Sequence, residues 1–186
     1  MTASSPTLGE ALAAYRRANG LPDDETSAKS WTCRVGPVIL RLPNFGWRRR
    51  AIGAHDLHHV LTGYPCTLGG ECRMAAWEFG AGHMPHWGAT VFCLPLLLLG
   101  LLRGPRDIWQ AFRTGRRSSS LHHALVTEDL LALPLTEARS RITNRQATRG
   151  RWADGARFGA LLLGAAVILL SPVVIVAASW LARTGG

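Results

Sequence analysis

The chain has 186 residues, with 21 lysines and arginines against 12 aspartates and glutamates, and a formal net charge of +9 at pH 7. Apolar residues make up 47% of the sequence and charged residues 18%, the opposite of the balance in disordered chains. The length corresponds to one domain that can bury a core without disulfides. None of the four cysteines forms a C-x-x-C pair. We therefore expect a folded domain with free thiols in a reducing compartment.

Local signals predict a helix and a hairpin at the N-terminal end. Ser5 followed by Pro6 is typical of a helix start, and Gly20 of a helix end. Residues 21–30 are polar and predict a loop. Apolar residues then alternate over 31–43, which predicts two extended segments or a small hairpin.

The remainder of the chain up to residue 142 shows helical spacing of apolar residues, with Gly and Pro at the boundaries. Residues 87–102 contain no charge, but the run is shorter than the roughly 18 residues expected of a membrane span. A buried helix and a membrane-dipping helix are both compatible with it. The other predicted helices are 47–62, 71–79, 105–113, 121–132 and 134–142. We predict a mainly α fold: a compact multi-helix domain over residues 1–142 with a small N-terminal hairpin, plus one C-terminal transmembrane helix.

The most apolar segment lies near the C-terminal end. Residues 158–182 are 25 consecutive uncharged residues, more than the ~20 that cross a bilayer. The mean hydropathy of the chain, +0.09, agrees with contact between part of the chain and lipid. Residues 143–157 are rich in arginine and predict a juxtamembrane linker. Because arginines cluster before the span and only Arg183 follows it, the positive-inside rule predicts a single-pass protein of the inner (cytoplasmic) membrane, with its N-terminal domain in the cytoplasm.

Residues with metal-binding chemistry are concentrated between positions 55 and 71. On a helix, His55 and His59 lie about 40° apart on one face, and Asp56 lies roughly 60° from His59. Glycines between His59 and Glu71 allow the chain to reverse, so that Glu71 begins the next helix. Two imidazoles and two carboxylates suit zinc or another divalent first-row metal. We predict His55, Asp56, His59 and Glu71 as metal ligands, and Glu78 as a hydrogen-bond partner of a ligand or a further oxygen donor.

This spacing, H-D-x-x-H followed by eleven residues and then E, resembles the signature of the ubiquinone (coenzyme Q) biosynthesis family often called Coq-four. The match falls on His55, Asp56, His59 and Glu71. The run HVLTGYP that starts at His59 is similar to the turn of that family after the motif, and LLALPLTEAR over residues 130–139 to its closing segment. The likeness covers residues 8–142, and the C-terminal span has no counterpart in the family pattern.

The resemblance implies a largely α-helical fold in which the four motif residues bind zinc. It also implies a role in coenzyme Q synthesis, with a polyprenylated benzoic-acid-type quinone precursor as substrate. That role is oxidative removal of the ring carboxyl group, organisation of the other quinone-biosynthesis enzymes at a lipid membrane, or both. The resemblance assigns no catalytic residue beyond the metal ligands.

Two other functions are compatible with the sequence. H-D-x-x-H differs by one methylene group from the H-E-x-x-H of zinc proteases, which allows a membrane-anchored zinc metallohydrolase. The charge of +9 and the run of arginines at 48–50 allow a non-enzymatic basic membrane-binding protein. No zinc finger, helix-turn-helix or aromatic-basic platform accompanies this charge, so we expect anionic lipid rather than nucleic acid as its partner.

Overall fold

Helices dominate the computed structural model, which describes residues 5–21, 28–35, 38–124, 126–143 and 150–184. Over these residues the chain forms eight helices and one two-stranded antiparallel sheet. The predicted fold class is therefore confirmed. The elements in chain order are α1 (Leu8–Asn19), β1 (Ser30–Val35), β2 (Val38–Pro43), α2 (Gly46–Thr62), α3 (Leu68–Ala81), α4 (Trp87–Arg103), α5 (Pro105–Arg116), α6 (Glu128–Ala132), α7 (Leu135–Thr143) and α8 (Arg151–Thr184).

Helix α1 begins later than predicted because Thr7, not Ser5, caps it. The Thr7 hydroxyl accepts a hydrogen bond from the Glu10 amide at 3.2 Å, and the Glu10 carboxylate accepts one from the Thr7 amide at 2.8 Å. This reciprocal pair satisfies two amides that would otherwise have no helical partner. The predicted helix end is confirmed, since Gly20 adopts the left-handed conformation with φ 63°.

The predicted hairpin is confirmed, with Trp31 opposite Leu42 and Val35 opposite Val38. Residues 22–27 of the predicted loop and residues 36–37 at the hairpin turn lie outside the described residues. The hairpin contacts the helices through Trp31, whose ring meets Phe92 of α4 edge-on at 5.8 Å. The guanidinium of Arg48 in α2 lies 4.0 Å from the centre of the same Trp31 ring.

Helix α3 is central, because its residues belong to both hydrophobic cores of the molecule. It begins at Leu68, earlier than predicted, because the Thr67 hydroxyl accepts the amide hydrogen of Gly70 at 3.2 Å. Helices α3 and α5 cross closely. A side-chain carbon at Gly80 would collide with the Phe112 carbonyl, and one at Gly115 with the Trp77 carbonyl. Gly115 is therefore a packing residue inside α5, which extends to Arg116, beyond the predicted end at residue 113.

The predicted helix over residues 121–132 is wrong in its first part. Only Glu128–Ala132 is helical, and it starts where the Thr127 hydroxyl accepts the amide hydrogen of Leu130 at 3.3 Å. The amide of Leu121 instead donates to the buried ring nitrogen His58 Nε2 at 2.9 Å. This tertiary hydrogen bond holds residues 121–124 in a turn beside α2.

Helix α8 is fixed to the rest of the domain at its base. Arg116 Nε of α5 donates to Asp154 Oδ1 at 2.7 Å. Arg157 Nη2 donates to the carbonyls of Phe79 and Gly82 at the end of α3, at 3.0 and 2.6 Å. The predicted linker is thus helical from Arg151 onward, and its residues 144–149 lie outside the described residues. Over Trp152–Pro172, α8 is long and apolar enough to cross a membrane.

Candidate metal centre

Three predicted ligands meet between α2 and α3. The Nε2 atoms of His55 and His59, one helical turn apart, are separated by 3.1 Å. Glu71 of α3 faces both, with Oε2 at 3.2 Å from His55 Nε2 and Oε1 at 3.3 Å from His59 Nε2. Ligands of a tetrahedral zinc ion, bound at about 2.0–2.1 Å, lie about 3.3–3.4 Å from each other. The group therefore has the spacing of a metal site before any rearrangement.

The turn between α2 and α3 creates this approach. Gly63 ends α2 in the left-handed conformation with φ 75°, which L-residues with side chains rarely adopt. Gly70 is required for a different reason, because a side-chain carbon there would collide with the Pro65 carbonyl. Gly63 and Gly70 thus allow the tight reversal that carries Glu71 to the two histidines.

The second ring nitrogen of each histidine fixes its tautomer. His59 Nδ1 lies 2.8 Å from the Tyr64 carbonyl, which can only accept a hydrogen bond. His55 Nδ1 lies 3.0 Å from Glu78 Oε1, which is an acceptor when ionised. Both Nδ1 atoms therefore carry hydrogen, and both Nε2 atoms face the space in front of Glu71. Two lone pairs 3.1 Å apart repel each other unless a proton or a metal ion lies between them.

The charges of the group match this need for a cation. Burial raises the pKa of the Glu71 carboxyl, but hydrogen bonds with His55 and His59 outweigh burial and lower the pKa to about 2. Burial lowers the pKa of His55, but the charge of Glu78 and the hydrogen bonds with Glu71 and Glu78 hold it well above its ordinary value. The site therefore attracts positive charge. It is also reachable, since 21% of the His55 side chain and 28% of the Glu71 side chain are exposed.

Asp56, the fourth predicted ligand, lies outside this group of three. Its Oδ2 atom is 3.0 Å from both Nε and Nη2 of Arg16 in α1. The pair joins α1 to α2, and the Asp56 side chain is 5% exposed. A role of Asp56 as a metal ligand stays a prediction.

Glu78 connects the metal centre to a second, fully buried group. Its Oε1 atom accepts hydrogen bonds from His55 Nδ1 and from His58 Nδ1, the latter at 2.7 Å. His122 Nε2 lies 3.1 Å from the same oxygen, in a geometry unsuited to a hydrogen bond. These contacts hold the pKa of Glu78 well below its ordinary value, against the effect of burial. Of the two roles expected for Glu78, the structure favours that of hydrogen-bond partner of a ligand.

His58, Glu78 and His122 are close enough together to hold a metal ion, but the chemistry of His58 favours hydrogen bonding. His58 Nε2 accepts the Leu121 amide hydrogen, so its hydrogen must be on Nδ1, the atom that faces Glu78. Burial lowers the pKa of His58 to about 4, which keeps the ring neutral. Sequence reasoning missed His122, because it lies in an irregular segment with no helical spacing to connect it with α2.

Tyr15 of α1 and Cys66 complete the surroundings of the metal centre. The Tyr15 ring stacks on His59, with ring centres 5.4 Å apart. The pKa values of Tyr15 and Cys66 are both raised, first by burial and then partly by the charge of Glu71. His83 and His86 belong to neither cluster among the described residues. His86 instead caps α4 by accepting the Gly88 amide hydrogen at 3.0 Å.

Comparison with known proteins gives no relative: no protein family, curated protein or solved structure matches the chain.

Proposed function

We propose that this protein is a membrane-anchored zinc protein of ubiquinone biosynthesis. Its substrate would be a polyprenylated quinone precursor with a benzoic-acid-type ring. The observation that carries the proposal is the meeting of His55, His59 and Glu71, three residues of the motif that resembles the Coq-four family. The proposal includes two roles that the same site can support: removal of the ring carboxyl group, and retention of the precursor among the other enzymes of the pathway.

Zinc is favoured by the donor set. Two neutral imidazoles and one carboxylate, with a position left for another molecule, are typical of catalytic zinc sites. Hydrogen bonds from the ligand histidines to Glu78 and to the Tyr64 carbonyl are the outer contacts that such sites use to orient their ligands. A bound zinc ion would supply a Lewis acid for the carboxylate or phenolic oxygen of a substrate ring.

The residues of the chain have separate tasks in this proposal. Glu78 and the Tyr64 carbonyl orient the two imidazoles, and Glu71 supplies negative charge on the exposed side of the site. The Tyr15 ring, stacked on His59, forms an apolar wall against which an aromatic headgroup can pack. The zinc metallohydrolase is less favoured, because Asp56, which would take the position of the general base, is paired with Arg16.

Attachment to the membrane fits an insoluble polyprenyl tail. We assign the span to α8, with the helical domain in the cytoplasm and the short C-terminal end across the inner membrane. The arginines that precede the span support this orientation. A substrate dissolved in the bilayer would then meet a metal centre held at the same membrane.

Complementation of a deletion in the source organism tests this function. Deletion should lower ubiquinone and accumulate a ring-carboxylated polyprenyl precursor, measured by mass spectrometry of lipid extracts. Wild type and His83→Ala, which removes an exposed histidine outside both clusters, should restore ubiquinone. His59→Ala and Glu71→Ala, expressed at equal levels, should not, and the purified variants should lack zinc. Unchanged ubiquinone after deletion, or a host that makes only menaquinone, would overturn the proposal.

A further inference from the structure

Aromatic side chains line one outer surface of the domain, near α4. Phe45 stacks on Trp47 at 6.3 Å, Trp47 stacks on His86 at 5.8 Å, and His86 contacts Trp87 at 5.4 Å. Phe92, further along α4, meets Trp31 of the hairpin. We call these six residues the aromatic surface. Its outermost members are Trp87, Phe45 and Phe92, which are 73%, 53% and 50% exposed.

Helix α4, which carries Trp87 and Phe92 of the aromatic surface, also packs against the apolar side of α8. Ala165 of α8 is buried, as are Leu94 and Leu97 of α4. A side-chain carbon at Gly164 would be in van der Waals contact with Leu94, at 3.8 Å. Arg157 and Asp154 fix the base of α8 to α3 and α5, and the part of α8 that follows packs against α4. A bilayer that receives α8 therefore lies close to α4.

The segments that carry the aromatic surface contain no acidic residue. Residues 28–55, which contain the hairpin and most of α2, include six lysines and arginines and no acidic residue. Residues 79–102, which contain nearly all of α4, include no charged residue. Exposed Trp and Phe next to arginine are typical of the headgroup region of a bilayer, where the rings meet the acyl boundary and the cations meet anionic lipid.

The length of α4 decides between spanning and lying in the interface. Its 17 residues extend about 25 Å, less than the ~30 Å of the hydrocarbon core. Both ends are also joined to the rest of the domain, through the His86 ring against Trp47 and through α5. The helix is therefore suited to lie against one leaflet.

We propose that the aromatic surface docks on the headgroup region of the same membrane that α8 crosses, in contact with anionic phospholipid. This inference rests on the membrane attachment in the proposed function. It adds a second contact, which would hold the helical domain in one orientation on the bilayer.

Quenching of tryptophan fluorescence by brominated lipid tests the docking in the full-length protein. The protein is reconstituted in phosphatidylcholine vesicles with or without phosphatidylglycerol, with bromine near the headgroup end of the acyl chains. Wild type is compared with Trp87→Phe on the aromatic surface, Trp152→Phe at the base of α8, and Trp77→Phe in the core. We expect Trp87→Phe to lose a quenched component in vesicles with phosphatidylglycerol, and Trp77→Phe to lose only unquenched emission.

The outcomes separate the two proposals. Loss of a quenched component in Trp152→Phe but not in Trp87→Phe would overturn the docking and leave the α8 anchor standing. Absence of any quenched component in the wild type, which includes Trp180 within the predicted span, would overturn the anchor itself. A surface charge change provides a second test: Val91→Lys on α4 should reduce quenching of Trp87, whereas Val126→Lys, at a residue of similar exposure away from α4, should not. Equal quenching in the two variants would count against the docking.

Discussion

The Nε2 atoms of His55 and His59 lie 3.1 Å apart, and each lies close to one oxygen of Glu71. A donor set of this kind binds a cation only if its lone pairs are held in place. That task belongs to the groups behind the rings, Glu78 and the Tyr64 carbonyl.

Replacing Glu78 by Gln should weaken metal binding without removing a ligand. The neutral amide oxygen of the new side chain is a weaker acceptor than the carboxylate for the Nδ1 hydrogens of His55 and His58, so the His55 ring is held less firmly in its tautomer and orientation. Loss of such an outer partner lowers metal affinity by roughly 10–100-fold. Competition with a chromogenic zinc chelator measures the affinity. Glu137→Gln, at an exposed carboxylate paired with Arg141, is the control and should leave affinity unchanged.

Metal binding should release protons near neutral pH. The pKa of His55 is held well above its ordinary value in the metal-free protein, so His55 is protonated there, and zinc must displace this proton. Affinity for zinc should therefore rise with pH up to the pKa of His55. Titration of zinc into weakly buffered protein, followed with a pH indicator, measures the release. Zinc binding with no proton release at pH 7 would contradict the protonated state of His55.

The stability of the metal-free protein should change with pH in two windows. The raised pKa of His55 contributes stability that is complete below its unfolded pKa and is lost as pH rises through the folded pKa. The pKa of Glu71, lowered to about 2, contributes stability that is present above its unfolded pKa and is lost as pH falls toward 2. Urea unfolding at a series of pH values measures both. Glu71→Gln should reduce the loss of stability at acidic pH, and Glu78, whose pKa is also held well below its ordinary value, should account for the loss that remains.

From the sequence, the spacing of the metal ligands could be predicted, whereas most of the tertiary contacts around them could not. His55 and His59 share a helix, so their proximity follows from helical geometry, and the glycines before Glu71 indicated the reversal. Asp56 lies on the same helix, but its contact with Arg16 depends on where α1 packs, which no local pattern encodes. The contact between His122 and Glu78 could not be predicted for the same reason, because His122 lies in an irregular segment whose position depends on tertiary packing. The ends of α3 and α5 were missed because a threonine cap and a glycine packing contact determined them.

The crossing of α3 and α5 should not tolerate a side chain at Gly115. An alanine there would collide with the Trp77 carbonyl, and such overpacking costs about 1–3 kcal/mol. The matched control is Gly53→Ala in α2, where no atom lies within 4 Å of an added side-chain carbon. Within a helix, replacing glycine by alanine should raise the free energy of unfolding by roughly 0.5–1 kcal/mol. Urea unfolding of the detergent-solubilised protein compares the two, and equal stabilities would contradict the close crossing.

The base of α8 should detach when Arg157 is replaced by Gln. The guanidinium donates to two carbonyls at the end of α3, and hydrogen bonds from charged groups contribute about 1.5–3 kcal/mol. The control is Arg141→Gln, which breaks an exposed i, i+4 pair with Glu137. It should lower the free energy of unfolding by less than about 0.5 kcal/mol. Limited proteolysis near residues 150–157 reports detachment directly. Identical cleavage of both variants and wild type would show that α8 is held by other contacts.

Asp56→Asn distinguishes a structural role of this residue from the predicted role as a ligand. If Asp56 mainly holds Arg16, then Asp56→Asn and Arg16→Gln should lower the free energy of unfolding by similar amounts, about 1–3 kcal/mol for a pair at this level of burial. The two changes should also be non-additive, because they remove the same contact. Both variants should keep the zinc content of wild type, measured by elemental analysis after gel filtration. Loss of zinc in Asp56→Asn alone would instead identify Asp56 as the fourth ligand, since Arg16→Gln breaks the ion pair and leaves the carboxylate in place.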